Sequence, residues 1–178
     1  MHSCMRIGLA LLGVAMVFSA NAETVTGQIT LSLTLTSSCQ VNGLTGSSGL
    51  NFGSLDFGNT SSLFTEADSQ LLGGTGPGGG LAILCSSGTS PTVKVGAGLN
   101  DGQSSGGTRA LSDGNNNFVP YDLYTDPGHN TSLAIDGVIS LATSTGMPQT
   151  VNIYGKAAGK VGLPAGTYTD TVSVELAF

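Results

Sequence analysis

An all-β sandwich is the fold class this sequence predicts, and three observations predict it. Apolar and polar residues alternate with a period of two in several short segments, the pattern of a half-buried strand. Clusters of Gly, Asn, Asp and Pro separate those segments, as turns do. No window carries an apolar stripe of helical period with capping signals.

Taken in order, the expected strands are 25–36, 50–57, 81–85, 92–97, 119–124, 149–154 and 167–178. Shorter ones are expected near 109–111 and 138–141. In the first, Val25, Gly27, Ile29, Leu31, Leu33 and Leu35 share one face. In the last, Tyr168, Val172, Val174, Leu176 and Phe178 do the same. Between them, Gly73-Gly-Thr-Gly-Pro-Gly-Gly-Gly80 reads as a flexible loop. Asn100-Asp-Gly102 and Asp113-Gly-Asn-Asn-Asn117 offer left-handed positions that Gly and Asn tolerate. Asp126-Pro-Gly128 reads as a turn with Pro at its second position.

The start of the chain reads as a secretory signal. Arg6 supplies the positive charge, residues 7–18 the apolar run, and Ala20-Asn21-Ala22 the small-x-small cleavage pattern. The mature chain then begins at Glu23, and the apolar run is too short for a membrane span. About 156 residues remain, enough for one domain with its own core. The expected division is a signal peptide at 1–22, an N-terminal segment at 23–36 and a single domain at 37–178.

Charge and cysteines narrow the partners. Outside the signal, Lys94, Arg109, Lys156 and Lys160 face eleven acidic residues. Nucleic acid and anionic membranes are therefore poor partners, and the acidity suits an exported, soluble protein. Of three cysteines, Cys4 lies in the signal, which leaves Cys39 and Cys85. An even pair in an oxidising compartment reads as a disulfide. Loop-entropy models credit a closure of this length with about 4 kcal/mol.

No residue set points to catalysis, a metal or a cofactor. Gly74-Thr-Gly-Pro-Gly-Gly79 matches G-x-G-x-x-G, but a dinucleotide site needs a helix after it. Here an apolar β-like run follows. Asp113 to Asn117 resembles half a calcium loop, yet Phe118 and Tyr124 stand where Gly and Glu are required. His129 sits in a polar turn, and no serine lies in a nucleophile elbow. Glu66 and Asp68 read as part of a polar surface turn rather than an acid–base pair. The chain is not expected to be an enzyme.

The two terminal segments carry the functional reading. A spare alternating strand at 25–35 and an apolar last strand, with no tail after Phe178, suggest head-to-tail joining by strand donation. Alternation alone favours an ordinary first and last strand of one sandwich, since such strands are common in all-β domains.

A resemblance bears on that choice. Val25-Thr-Gly-Gln28, Phe52-Gly-Ser-Leu-Asp-Phe-Gly58 and Tyr121-Asp-Leu-Tyr124 followed by Asp126 occur in order with the two cysteines. Ile153-Tyr-Gly155 then precedes Pro164-Ala-Gly-Thr-Tyr-Thr-Asp-Thr-Val-Ser-Val174. In this the chain resembles the spore coat protein U-like family, and most closely the major pilins of archaic chaperone–usher pili. The resemblance implies an immunoglobulin-like sandwich lacking its last strand, completed by donor-strand exchange. It implies a periplasmic chaperone, an outer-membrane usher and further copies of the chain as partners, and a surface fibre serving adhesion and biofilm formation. Val25, Gly27, Ile29, Leu31, Leu33 and Leu35 would be the donor strand; Gly27 lacks a side chain on that face, and the physical expectation beside the resemblance is that it marks a shallow pocket. Tyr168, Val172, Val174, Leu176 and Phe178 would form the acceptor groove and the chaperone-pairing strand. Cys39 and Cys85 would be the family's disulfide. The competing readings are a secreted coat or matrix protein that forms no pilus, and a tip adhesin. A tip subunit is expected to carry a binding domain ahead of its pilin domain.

Overall fold

The structure, a computed structural model, describes residues 23–178; the expected signal peptide at 1–22 lies outside the described residues. Among the described residues there are twelve strands and one short 3-10 turn, η1, at Pro77–Gly79. The strands are β1 (Cys39–Val41), β2 (Ser54–Leu55), β3 (Glu66–Leu72), β4 (Leu81–Cys85), β5 (Thr92–Gly98) and β6 (Arg109–Ser112). After them come β7 (Phe118–Tyr124), β8 (Ser132–Leu133), β9 (Gly137–Ser140), β10 (Gln149–Val151), β11 (Tyr154–Ala158) and β12 (Val172–Ala177).

All pairings are antiparallel and fall into three sheets. One has the order β1-β4-β10, one the order β12-β5-β9, and the largest the order β2-β3-β11-β7-β6 with β8 also on β7. Antiparallel ladders suit short strands joined by tight turns. A single core joins the inner faces: Val41 and Ile83 from the first sheet, Val95 from the second, Leu123 and Ala157 from the third. The fold is therefore all-β, as the alternation and turn spacing predict.

The strands β4, β5 and β7 lie where the sequence places them. Other segments differ, each for a physical reason. Residues 149–154 do not form one strand. The chain breaks at Asn152 and Ile153, so β10 pairs with β4 while β11 passes to the large sheet. Within 50–57 only Ser54 and Leu55 join a ladder. Gly53 there has φ 115°, and a side chain on it would crowd the Leu72 carbonyl, so the segment bends instead of running straight. In 167–178 the ladder with β5 begins at Val172, and Thr169 makes one isolated bridge to Ser112. Residues 25–36 carry no ladder pairing.

The reading of Glu66 and Asp68 as a surface turn is corrected: both lie in β3. Glu66 pairs with Lys156 across the strands, Oε1 to Nζ, at 2.8 Å, and Lys156 stands opposite Asp68 in register. The Lys156 ammonium is held above its usual range, first by the hydrogen bond to Glu66. β3 is rich in residues that disfavour strands, and its place comes from pairing with β11 on one side and β2 on the other.

Candidate functional site

β12 lies at the edge of its sheet. It pairs with β5 on one side, and among the described residues no strand pairs its other side. Its inward residues, Val172, Val174 and Leu176, are only half-buried, while Ser173, Glu175 and Ala177 point outward. This is period-two alternation with the apolar row left partly uncovered. A long apolar edge with free peptide groups is normally paired or blunted.

Beside that edge runs a groove of about 970 Å³. Val41, Leu81, Tyr121, Leu123 and Ile153 form its base, and the chain from Asp170 to Phe178 borders it. Leu50, Phe52, Leu55 and Phe57 supply a further border. The rings of Phe57 and Tyr121 lie 6.0 Å apart and tilted by 60°, a favourable aromatic geometry. Fold topology explains the opening: β1 also lies at the edge of its sheet, so neither neighbouring sheet closes the space.

Two devices hold the groove's border in place. Cys39 and Cys85 stand opposite each other in the β1–β4 register and are joined by a disulfide. Asn42, with φ 51°, reaches in three directions. Its Nδ2 donates to the Asn51 carbonyl at 3.1 Å, and its Oδ1 accepts from the Ala82 amide at 3.0 Å and the Thr75 amide at 3.3 Å. One side chain thus ties the 46–53 loop to β4 and to the glycine loop.

On the outer face, Lys94 of β5 bonds Glu175 of β12 at 2.9 Å and lies 3.5 Å from Asp136. Those two acids hold the Lys94 ammonium above its ordinary value, Glu175 first. Glu175 and Lys94 are register partners, so this exposed pair specifies alignment more than it adds stability.

The acceptor residues expected from sequence are placed as follows. Val172, Val174, Leu176 and Phe178 line the groove. Tyr168 does not belong to β12. It precedes the strand, and its hydroxyl donates to the Pro164 carbonyl at 2.9 Å. The groove's border starts two residues later, at Asp170. The expected donor segment is described by itself: Val25, Ile29, Leu31 and Leu33 are exposed, Ile29 by 86%. Leu35 is exposed as well, and a Cβ on Gly27 would meet nothing within 4 Å.

A polar cluster escaped the sequence reading. Arg109 is 0% exposed, a rare state for a cation. Around it stand Asp101, Asp170 and the Tyr121 phenol. A hint was available in the sequence, since Arg109 is one of few basic residues and opens the apolar-rich strand Arg-Ala-Leu.

The motifs weighed for ligands turn inward on themselves. Asp113 accepts from the Asn115 and Asn117 amides and from Asn117 Nδ2, which lowers its pKa, the Asn117 side chain contributing most. Asp126 accepts from the amides of Gly128, Asn130 and Thr131. Those bonds, Asn130 first and Thr131 next, pull its carboxyl down to about 2. His129 packs edge-on to Tyr124 with 4.9 Å between ring centres. Among the described residues no group of three or more His, Cys, Asp and Glu could hold a metal ion. Nor is any helix among them long and apolar enough to cross a membrane.

Comparison with known proteins gives the following. The Spore Coat Protein U domain matches residues 25–175. No curated protein matches the chain. Among solved structures, the chain is similar to the CsuC–CsuE chaperone–tip adhesion subunit pre-assembly complex from the archaic chaperone-usher Csu pili of Acinetobacter baumannii, at 23% identity and a TM-score of 0.49. The match covers 82% of this chain and 41% of that one, so the chain spans less than half its length.

Proposed function

We propose that this chain, which belongs to the Spore Coat Protein U domain family, is a structural subunit of a bacterial surface pilus. It polymerises head to tail, each groove accepting the N-terminal segment of the next copy. A periplasmic chaperone fills the groove during export, and an outer-membrane usher exchanges that filler for the donor segment. The fibre then serves adhesion and biofilm formation at the cell surface.

The observation that carries this reading is the half-buried apolar row of β12 beside a groove with no second strand on its edge among the described residues. The donor segment fits it in kind and in length. At about 3.4 Å per residue, the eight steps from Asp170 to Phe178 span about 27 Å, the same as the eight steps from Gly27 to Leu35. Ile29, Leu31, Leu33 and Leu35 each gain about 1.5–3 kcal/mol on burial, before the costs of ordering are met. Ladder bonds along the free edge of β12 add direction and slow release.

A second reading has support in the description of the matching family: a secreted coat or matrix protein that forms no pilus. The test separates them. The chain is purified with and without residues 23–36, each co-expressed with its chaperone, and SDS-resistant ladders are followed once the chaperone is removed. Ladders from the full chain and none from the truncated one support the fibre subunit. A stable monomer from the full chain supports the matrix protein.

A further inference from the structure

We propose that Asp170, Tyr121 and Arg109 form a polar clasp that sets the acceptor edge of β12 before any strand arrives. The inference rests on the strand-accepting reading of the groove. It assigns positioning residues to that site, away from the apolar row that would meet the incoming chain.

The β5–β12 ladder is irregular where the clasp sits. Val172 stands opposite Gly98, but Val174 stands opposite Val95. Thus β5 carries one extra residue at Gly96 and Ala97, a bulge. A bulge leaves main-chain groups without ladder partners, and here side chains take them. Arg109 Nη1 donates to the Gly96 carbonyl at 2.8 Å, and Ser173 Oγ donates to the Ala97 carbonyl at 3.1 Å. Gly96 and Gly98 leave room for this, since a Cβ on either would collide with Ser173 Oγ or with Asp170 Oδ2.

Asp170 closes the clasp from the other side. Its Oδ1 accepts from the Leu99 amide at 2.9 Å and from Asn100 Nδ2 at 3.1 Å. Its Oδ2 accepts from the Tyr121 hydroxyl at 2.7 Å. One carboxylate, two residues ahead of β12, therefore bonds both the turn that follows β5 and the large sheet. Burial and then Asp170 push the Tyr121 phenol up, so it stays a donor. Tyr121 is also the register partner of Arg109. Asp101 completes the set: its Oδ2 accepts from the Gly98 amide at 2.8 Å, and its Oδ1 lies 3.8 Å from Arg109 Nη1.

The arrangement is expensive as a source of stability alone. Arg109 is wholly buried, and its Nε and Nη2 have no hydrogen-bond partner among the described residues. Buried ionic groups are often no better for stability than apolar ones of equal volume. What the cluster supplies is geometry. Bulges increase twist and re-aim side chains, and among the described residues β12 has one ladder to hold it. An edge that frays must be ordered at the moment of binding, at a cost in affinity and rate. Asp170 and Tyr121 line the groove and Arg109 is buried, so the clasp acts at the approach to β12.

The test compares the exported chain with Asp170→Asn and the milder Tyr121→Phe by residue-resolved amide hydrogen exchange. Capture of a peptide copying residues 25–36 is measured alongside. In Asp170→Asn the amides of β12 should exchange roughly tenfold to a hundredfold faster, the loss expected from charge-assisted bonds. Those of β4 should hold their wild-type rates. Tyr121→Phe should give a smaller change in the same place, and both variants should capture the peptide more slowly. If β12 is unchanged in both, or if β12 and β4 accelerate by one common factor, the clasp is only part of the general core and the proposal fails. Wild-type rates of capture in both variants would overturn it as well. A wild-type chain that captures no peptide refutes the strand-accepting reading instead, and the exchange data still decide whether the clasp holds β12.

Discussion

β11 and β12 are short strands with the same inward–outward alternation, and they end in opposite situations. β11 pairs with β3 on one side and β7 on the other. Its inward residues are small, Gly155 and Ala157, and Ala157 is 1% exposed. Neighbours already fill the space, since a Cβ on Gly155 would press on Leu55 and Phe57 at 2.8–2.9 Å. β12 has one ladder, and its inward residues are large yet only half-buried. A finished surface needs little apolar mass. An edge with one ladder carries apolar mass that its own neighbours leave half-buried. Close packing makes the two respond differently to change.

The largest expected effect exploits the uncovered row. Val174→Asp places a carboxylate among the groove's apolar side chains, where an incoming strand would have to desolvate it. Capture of the 25–36 peptide should weaken by about 3 kcal/mol or more, roughly a hundredfold in Kd. The lone chain should lose less than about 1.5 kcal/mol in urea unfolding, because Val174 is not fully buried there. Equal losses in both measurements would erase the distinction between the two strands.

The reverse pattern is expected on β11. Gly155→Val overpacks a full space and should cost about 1–3 kcal/mol of stability. That is roughly 3–10 °C in thermal melting for a chain of this size. Because Leu55 and Phe57 also border the groove, capture of the peptide should weaken too, but by less than in Val174→Asp. A capture loss as large as that of Val174→Asp with unchanged melting would erase the distinction between the two strands.

A smaller effect sharpens the comparison at the bulge. Gly96→Ala drives a methyl group into Ser173 Oγ and should cost about 1–2 kcal/mol. Adding Ser173→Ala removes the collision, so the double variant should be less destabilised than the two single losses combined. A coupling of about 0.5 kcal/mol or more in a double-mutant cycle is expected. Simple additivity would mean that the bulge relaxes freely.

Which parts of this were legible in the sequence follows from where each part's information lies. Strands whose own residues carry the signal, the apolar run of β4 and the alternation of β5 and β7, could be read locally. β3 could not, because Glu-Ala-Asp-Ser-Gln-Leu-Leu resembles a polar turn until β11 and β2 flank it. β1 is three residues long and gives no period. The apolar row of β12 was visible, but the number of strands beside it is a property of topology, not of the segment. The clasp was the least visible, since Asp101, Arg109, Tyr121 and Asp170 are distant in sequence and meet only through β5, β6, β7 and the approach to β12.

The smallest effect belongs to the turn after β7. The amides of Gly128, Asn130 and Thr131 hold the Asp126 carboxylate in its charged form and lower its pKa to about 2. The unfolded carboxyl titrates near about 3.9. A depressed folded value means that the bonds contribute stability above the unfolded value and lose it as pH falls towards about 2. The turn should therefore hold its form through pH 4 and loosen only near pH 2. A carboxyl titration followed by NMR should give Asp126 a midpoint near 2, and Asp126→Asn should abolish that titration. Since the turn leads from β7 to β8 in the large sheet, peptide capture by β12 should not change as Asp126 titrates. Were capture to follow that midpoint, the turn after β7 would be coupled to the open edge of β12.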